Sequence, residues 1–203
     1  MHQLSILQTR VLACLMEKHL ATPNNYPLTL NSLMLACNQK TNRGDVMSLS
    51  EGQVGHTVKE LEDLNLVRSD YGDRAMKVSH RAPAVLNLER ETQAILAMLM
   101  LREPLTLADI RARTERMVNF ESIEELKMMV DDLIEREQPL LSLIPKGPGQ
   151  REDRYTHLFL GTPDIEALNQ ASKNVKDSHA EQVKQLKARI SELEDELAGY
   201  RNT

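Results

Sequence analysis

The sequence predicts a mainly α-helical fold with small β-hairpins (α+β), and three observations carry that prediction. The letters PLTL occur at residues 27–30 and again at 104–107. Each copy is preceded by an apolar stretch at helical spacing, VLACLMEKHL (11–20) and ILAMLMLREPL (95–105), which argues for a repeated unit. Each unit ends in a hairpin-like segment that turns at glycine. Three helices followed by a hairpin is the winged-helix form of the helix-turn-helix. The expected organisation is therefore tandem winged-helix domains at 1–82 and 83–163, then a coiled-coil-like C-terminal helix at 164–203.

The elements follow in order. After each PLTL, Thr29 and Thr106 are placed to cap a short second helix, followed by Leu30 and Leu33 in one copy and by Leu107 and Ile110 in the other. Asp109 adds a carboxylate where the helix dipole favours it. Ser50 then caps EGQVGHTVKELEDLN, with Gln53 at the capping-box position, and Ser122 caps IEELKMMVDDLIERE, with Glu125 in that place. Val54, Val58, Leu61 and Leu64 form the inward stripe of the first of these third helices; Leu126, Met129, Val130, Leu133 and Ile134 form that of the second. The hairpins are expected at 66–80, turning at Tyr71-Gly72-Asp73, and at 140–160, turning around Gly147-Pro148-Gly149. HRAPAVLNL (80–88) contains Pro83 and lacks helical periodicity, so it reads as a non-helical link between the copies.

Composition sets the class. The chain has 203 residues, 41% hydrophobic and 27% charged, as in ordinary globular proteins. The N-terminus MHQLSILQTR lacks the pattern of a secretory signal, and the longest apolar run, AILAMLML (94–101), is too short to span a membrane, which takes about 20 residues. A cytoplasmic protein without a membrane partner is expected. Cys14 and Cys37 both fall in apolar, helix-like segments and read as small buried hydrophobes. The net charge of −5 is uneven: nine Lys and Arg oppose eight Asp and Glu in 1–82, ten oppose fourteen in 83–163, and six oppose eight in 164–203. That balance weighs against nucleic-acid binding over the whole surface but leaves room for a local basic face.

The run EKHLATPNNYPLTLNSLMLACNQKTNR (17–43), followed by VMSLSEGQV (46–54), resembles the signature block of the uncharacterised bacterial YceH-like family. The similarity extends over roughly residues 4 to 160. The resemblance implies a tandem winged-helix fold and a bacterial origin, and it supplies no substrate, partner or catalytic residue.

The residues themselves suggest a site. Lys40 and Arg43 leave the second helix in a polar run suited to phosphate contacts. Gln53, His56, Thr57 and Lys59 occupy the N-terminal half of the third helix, where groove-reading side chains would lie, and Gly52 and Gly55 would permit close approach. The first hairpin adds Arg68, Arg74, Lys77, His80 and Arg81. Against this stand Glu60, Glu62 and Asp63. In the second unit Glu124, Glu125, Asp131, Asp132 and Glu135 would repel phosphate, with Arg111, Arg113, Arg116 and Lys146, Arg151, Arg154 as basic exceptions. Met98, Met100, Met117, Met128 and Met129 read mostly as core.

No catalytic, cofactor or metal signature is visible: the six histidines are dispersed, and KGPGQR (146–151) lacks the ending of a P-loop. In the tail, Val183, Leu186, Ile190, Leu193, Leu197 and Tyr200 alternate spacings of three and four, a heptad seam suited to homodimerisation. Two readings stay open. One is a DNA-binding, transcription-regulator-like protein that contacts duplex DNA through its first unit. The other is a protein-protein interaction scaffold, similar to acidic tandem winged-helix proteins of chromosome-segregation complexes.

Overall fold

The computed structural model describes residues 3–72, 75–102, 104–147, 150–167, 182–190 and 193. The chain divides into two compact units, Met1–Pro163 and Asp164–Thr203.

Within residues 1–163, α1 (Ile6–Ala21) opens the first half. Ser5 and Gln8 close a reciprocal capping box at its start, satisfying two otherwise orphaned backbone donors. A single 3-10 turn, Pro23–Asn25, leads to the two-residue strand β1 (Leu28–Thr29) and then to α2 (Leu30–Cys37). Next come α3 (Glu51–Asp63) and the hairpin of β2 (Val67–Tyr71) and β3 (Met76–His80). The second half repeats the plan with α5 (Arg90–Leu101), α6 (Leu107–Thr114), α7 (Ile123–Glu135), β4 (Leu141–Ile144) and β5 (Arg154–His157).

The repeated PLTL now has a physical reason. Its first leucine pairs with the returning hairpin strand: Leu28 opposite Val78 in the sheet β1-β3-β2, and Leu105 bridging Tyr155 through hydrogen bonds of 2.8 and 3.1 Å. Both leucines are buried. The following threonine turns the chain into a helix, Thr29 Oγ1 accepting from Ser32 N and Thr106 Oγ1 from Asp109 N. One tetrapeptide thus pairs with the returning hairpin strand and starts a helix in each half.

α1 and α5 pack against each other at the centre. Every residue of Thr9–Glu17 and of Gln93–Leu101 is buried, as expected of helices enclosed on all sides. Each fully buried leucine among them, such as Leu12, Leu15, Leu96 and Leu99, contributes roughly 1.5–3 kcal/mol of hydrophobic stabilisation. Polar contacts join the same halves: Gln93 Nε2 donates to Met16 O at 3.0 Å, and Gly44 N to Leu101 O at 2.9 Å.

Two local expectations differ from the structure. The stretch expected to be a non-helical link contains α4 (Ala82–Leu86), with Pro83 in the first turn, where its missing N–H costs nothing, and Asn87 ending it at φ 50°. Arg136 then donates to the Leu86 and Asn87 carbonyls at 3.0 and 3.2 Å, satisfying the free end of that helix. At α7, Ser122 Oγ accepts from Glu125 N as expected, but the Glu125 carboxylate reaches one residue further back and takes the Glu121 N–H at 2.7 Å.

In the second unit, residues 182–190 are helical, and Val183, Leu186, Ile190 and Leu193 are all exposed. Leu197 and Tyr200 lie outside the described residues.

Candidate nucleic-acid interface

α3 begins with a complete capping box: Ser50 Oγ accepts from Gln53 N, and Gln53 Oε1 accepts from Ser50 N at 2.9 Å. Gln53 is exposed, but its amide oxygen is committed to the helix start. The helix turns Val54, Thr57, Val58 and Leu61 into the core. Glu51, Gly52, Gln53, His56 and Lys59 face solvent. Gly55 lies against α2, where a Cβ would come within 3.3 Å of Leu30 Cδ2; Gly52 has its nearest neighbour at 4.0 Å.

Between α3 and the hairpin runs a groove of about 480 Å³, lined by Gly52, Gly55, His56, Lys59, Tyr71 and Met76 among others. Tyr71, at the end of β2, is 80% exposed. The hairpin is fixed to the helix by the Glu62 carboxylate, which accepts the Ser69 N–H at 2.6 Å. Glu60 is similarly engaged, accepting from Gln8 Nε2 at 3.1 Å and lying 3.4 Å from His56 Nε2. Two of the acids that seemed to oppose a phosphate-facing surface therefore hold structure together.

The expected site residues separate into two groups. Lys40, Gln53, His56, Lys59, Arg68 and Lys77 are exposed. Lys77 sits opposite Asp70 in the hairpin register, and Arg68 forms a 2.7 Å ion pair with the same aspartate. Arg74 lies outside the described residues.

Arg43 and Thr57 are turned inward, against expectation. The Arg43 side chain has no exposed surface; Nη2 is 2.7 Å from Glu17 Oε2, 2.8 Å from Gln39 Oε1 and 3.0 Å from the Ala36 carbonyl. A guanidinium so committed has nothing to offer a phosphate. Thr57 Oγ1 donates to Gln53 O at 2.9 Å and is buried, the usual way a threonine is accommodated inside a helix. The signal for Arg43 was in α1: Arg10 and Glu17 stand in a helix whose pattern is otherwise buried, and buried charges require partners.

His80 also leaves the hairpin surface. Its Nε2 lies 3.1 Å from His19 Nδ1, and its backbone N–H donates to Tyr26 Oη at 2.6 Å. Burial, and then the neighbouring His19, push the His80 pKa down to about 3. Arg81 is exposed and donates to Asn65 Oδ1.

The second half repeats the groove at smaller scale, about 330 Å³ between α6, α7 and the chain around β5. Its chemistry differs. Lys127, paired with Asp131, lines it together with Lys146, Arg151, Glu152 and Asp153, so its cations stand among carboxylates; outside it, Arg113 lies 3.8 Å from Asp109 and Arg111 donates to the Phe120 and Glu121 carbonyls. Where the first half offers Gly52, His56 and Lys59, the corresponding face of α7 offers Glu124, Met128 and Asp131, with Met128 67% exposed. Met98, Met100 and Met117 are core residues.

Among the described residues, no three His, Cys, Asp or Glu side chains gather to hold a metal ion, and no helix is long and apolar enough to cross a membrane.

Residues 4–150 match the family described as "Protein of unknown function, DUF480". The chain belongs to the DUF480 family. It is 43% identical over 195 residues to a UPF0502 protein of Cellvibrio japonicus, covering 96% of this chain and 89% of the relative. A UPF0502 protein of Mesorhizobium japonicum is 43% identical over 198 residues, covering 98% and 93%, and one of Stenotrophomonas maltophilia is 40% identical over 206 residues, covering 98% and 94%. The DUF480 span runs from before α1 through β4; it includes the first half whole and the second as far as the turn before β5. The three relatives align along almost the whole chain.

Proposed function

We propose that the two halves of residues 1–163 are winged helices and that the first binds duplex DNA, making this a cytoplasmic, non-enzymatic, regulator-like protein. The observation that carries this reading is the outward face of α3. Gly52 and Gly55 keep the helix surface low beside the groove, and His56 and Lys59 stand on it. Side chains of these types hydrogen-bond to base edges or phosphates. Lys77 and Arg68 on the hairpin and Lys40 beyond α2 add exposed cations, while Glu60 and Glu62 are engaged in internal contacts. Arg43 has no part in this surface.

A second reading is favoured by one observation: Met128 stands exposed on the α7 face among Glu124 and Asp132, a combination suited to a partner protein. In that reading the second half recruits a protein, and the chain acts as an assembly scaffold. The exposed Val183, Leu186, Ile190 and Leu193 support pairing of two copies through the tail.

Titration of a labelled generic duplex by fluorescence anisotropy tests the DNA reading. Binding by a surface of about four cations weakens with salt at a log-log slope of roughly −3 to −4. Absence of binding at micromolar protein in low salt would remove the DNA reading and leave the scaffold.

A further inference from the structure

A second cavity of the first half, about 470 Å³, lies where the end of α1, the turn Pro23–Asn25, β1 and α2 meet the strand β3. That size suits a metabolite-sized ligand, for which about 300–1,000 Å³ is usual. None of its lining residues lines the groove beside α3. The stretch from Lys18 to Ala36 supplies all of its walls except Lys77 of β3, which the strand register sets directly opposite Thr29.

The cavity is electropositive. Among the described residues Lys18 and Lys77 are its only charged lining groups, whereas Glu51 and Glu62 stand in the groove beside α3, and Glu152 and Asp153 in that beside α7. The carboxylates next to the two lysines are engaged elsewhere. Glu17, 3.7 Å from Lys18 Nζ, is held at 2.7 Å by Arg43, and Asp70, opposite Lys77 in the hairpin, pairs with Arg68 at 2.7 Å. Lys18 Nζ is itself positioned by Gln39 Oε1, which accepts from it at 3.2 Å. From Lys18 to Gly44 the chain carries three Lys and Arg and no Asp or Glu, in a protein of net charge −5. A cleft lined by one sign of charge concentrates ligands of the other.

Polar groups complete the lining. The Asn24 and Asn25 side chains stand exposed on the turn and hydrogen-bond to no other described residue. The Ser32 hydroxyl accepts from Thr29 Oγ1 at 2.9 Å and keeps its own proton to donate. A bare anion needs only the cations; carboxamides and a hydroxyl beside them match the hydroxyl groups of a sugar. We propose that this cavity binds a sugar phosphate, free or within a mononucleotide, with Lys18 and Lys77 on the phosphate and Asn24, Asn25 and Ser32 on the sugar hydroxyls. The inference does not rest on the DNA reading: Lys77 is one of the exposed cations of the hairpin, but it lines this cavity and not the groove beside α3.

The test titrates the isotope-labelled full chain with ribose 5-phosphate and with adenosine monophosphate, following backbone amide resonances by NMR; ribose, inorganic phosphate and a short DNA duplex serve as comparisons. Both esters are expected to give saturable shifts at Asn24, Asn25, Ser32 and Lys77, with ribose giving none and inorganic phosphate binding about tenfold more weakly. Lys18→Gln and Lys77→Gln are each expected to weaken ribose 5-phosphate binding about tenfold, as loss of one charged hydrogen bond does, while Lys59→Gln in the groove beside α3 leaves it unchanged. Absence of saturable shifts at about 10 mM of either ester would overturn the proposal. Unchanged binding in both lysine variants would place the ligand elsewhere, and inorganic phosphate binding as tightly as the esters would leave an anion site only; each overturns it. Shifts of the same amides by the duplex but by neither ester would assign the cavity to the DNA backbone and overturn it as well.

Discussion

Arg43 Nη2 lies 2.7 Å from Glu17 Oε2, so that a side chain with no exposed surface ties the 38–50 connection to α1. Removing one member of a buried ion pair strands the other, at a cost of about 3–5 kcal/mol. Arg43→Met is therefore expected to lower the unfolding free energy by that amount, measured by urea denaturation. Lys40→Met, three residues earlier on the exposed side of the same connection, is expected to change it by no more than about 0.5 kcal/mol. Equal, small effects would show that Arg43 is a surface residue after all.

Stability should fall as the solution is acidified from neutral pH. His80 and His157 are depressed by burial to about 3 and about 4, from 6.5. Between those values and 6.5 the unfolded chain binds protons that the folded chain does not, so the unfolding free energy rises with pH across that window. Each histidine contributes a slope approaching 1.4 kcal/mol per pH unit. Urea midpoints from pH 7 to pH 5 should fall steeply in the wild type and less steeply in His80→Gln. A flat wild-type profile would contradict the burial of both rings.

These two predictions mark where the sequence was readable and where it was not. Local chemistry was legible: the Ser50-Gln53 box, the Thr29 and Thr106 caps and the two hairpins depend on neighbours a few residues away. The repeat was legible because one tetrapeptide performs two local tasks in each half. What escaped depends on distant partners. Nothing near Arg43 in the chain announces that Glu17 will meet it, and Thr57 looks polar until its hydroxyl finds the Gln53 carbonyl one turn back. Pro83 suggested a break and instead starts α4, because a first-turn proline is harmless and Asn87 and Arg136 close the other end. His80, placed in a basic hairpin by its neighbours, is drawn inward by Tyr26 and His19 from earlier in the chain.

The glycines of α3 should respond differently to alanine. Gly52 has open space where a Cβ would go, so Gly52→Ala should stabilise the protein by roughly 0.5–1 kcal/mol through helix propensity alone. At Gly55 the new methyl meets Leu30 Cδ2 at 3.3 Å, and part or all of that gain is lost. Thermal unfolding of the two variants checks the order; a larger gain at Gly55 would place α2 and α3 further apart than described.

Pairing of two copies through the tail predicts that light scattering gives twice the chain mass for the full protein and a single mass for a chain ending at Pro163, where the first compact unit ends. A monomeric full chain would remove the pairing and leave the fold of residues 1–163 untouched.

Charge reversal tests most directly whether the groove between α3 and the β2–β3 hairpin faces DNA. Anisotropy titrations of one duplex at low salt would compare the wild type with Lys59→Glu, at a residue that lines this groove, and with Lys127→Glu on the corresponding helix of the second half. The predicted result is tenfold or greater loss of affinity for the first variant, about 1.4 kcal/mol or more, with binding by the second within about twofold of wild type. Equal losses in both variants, or loss in the second alone, would contradict it.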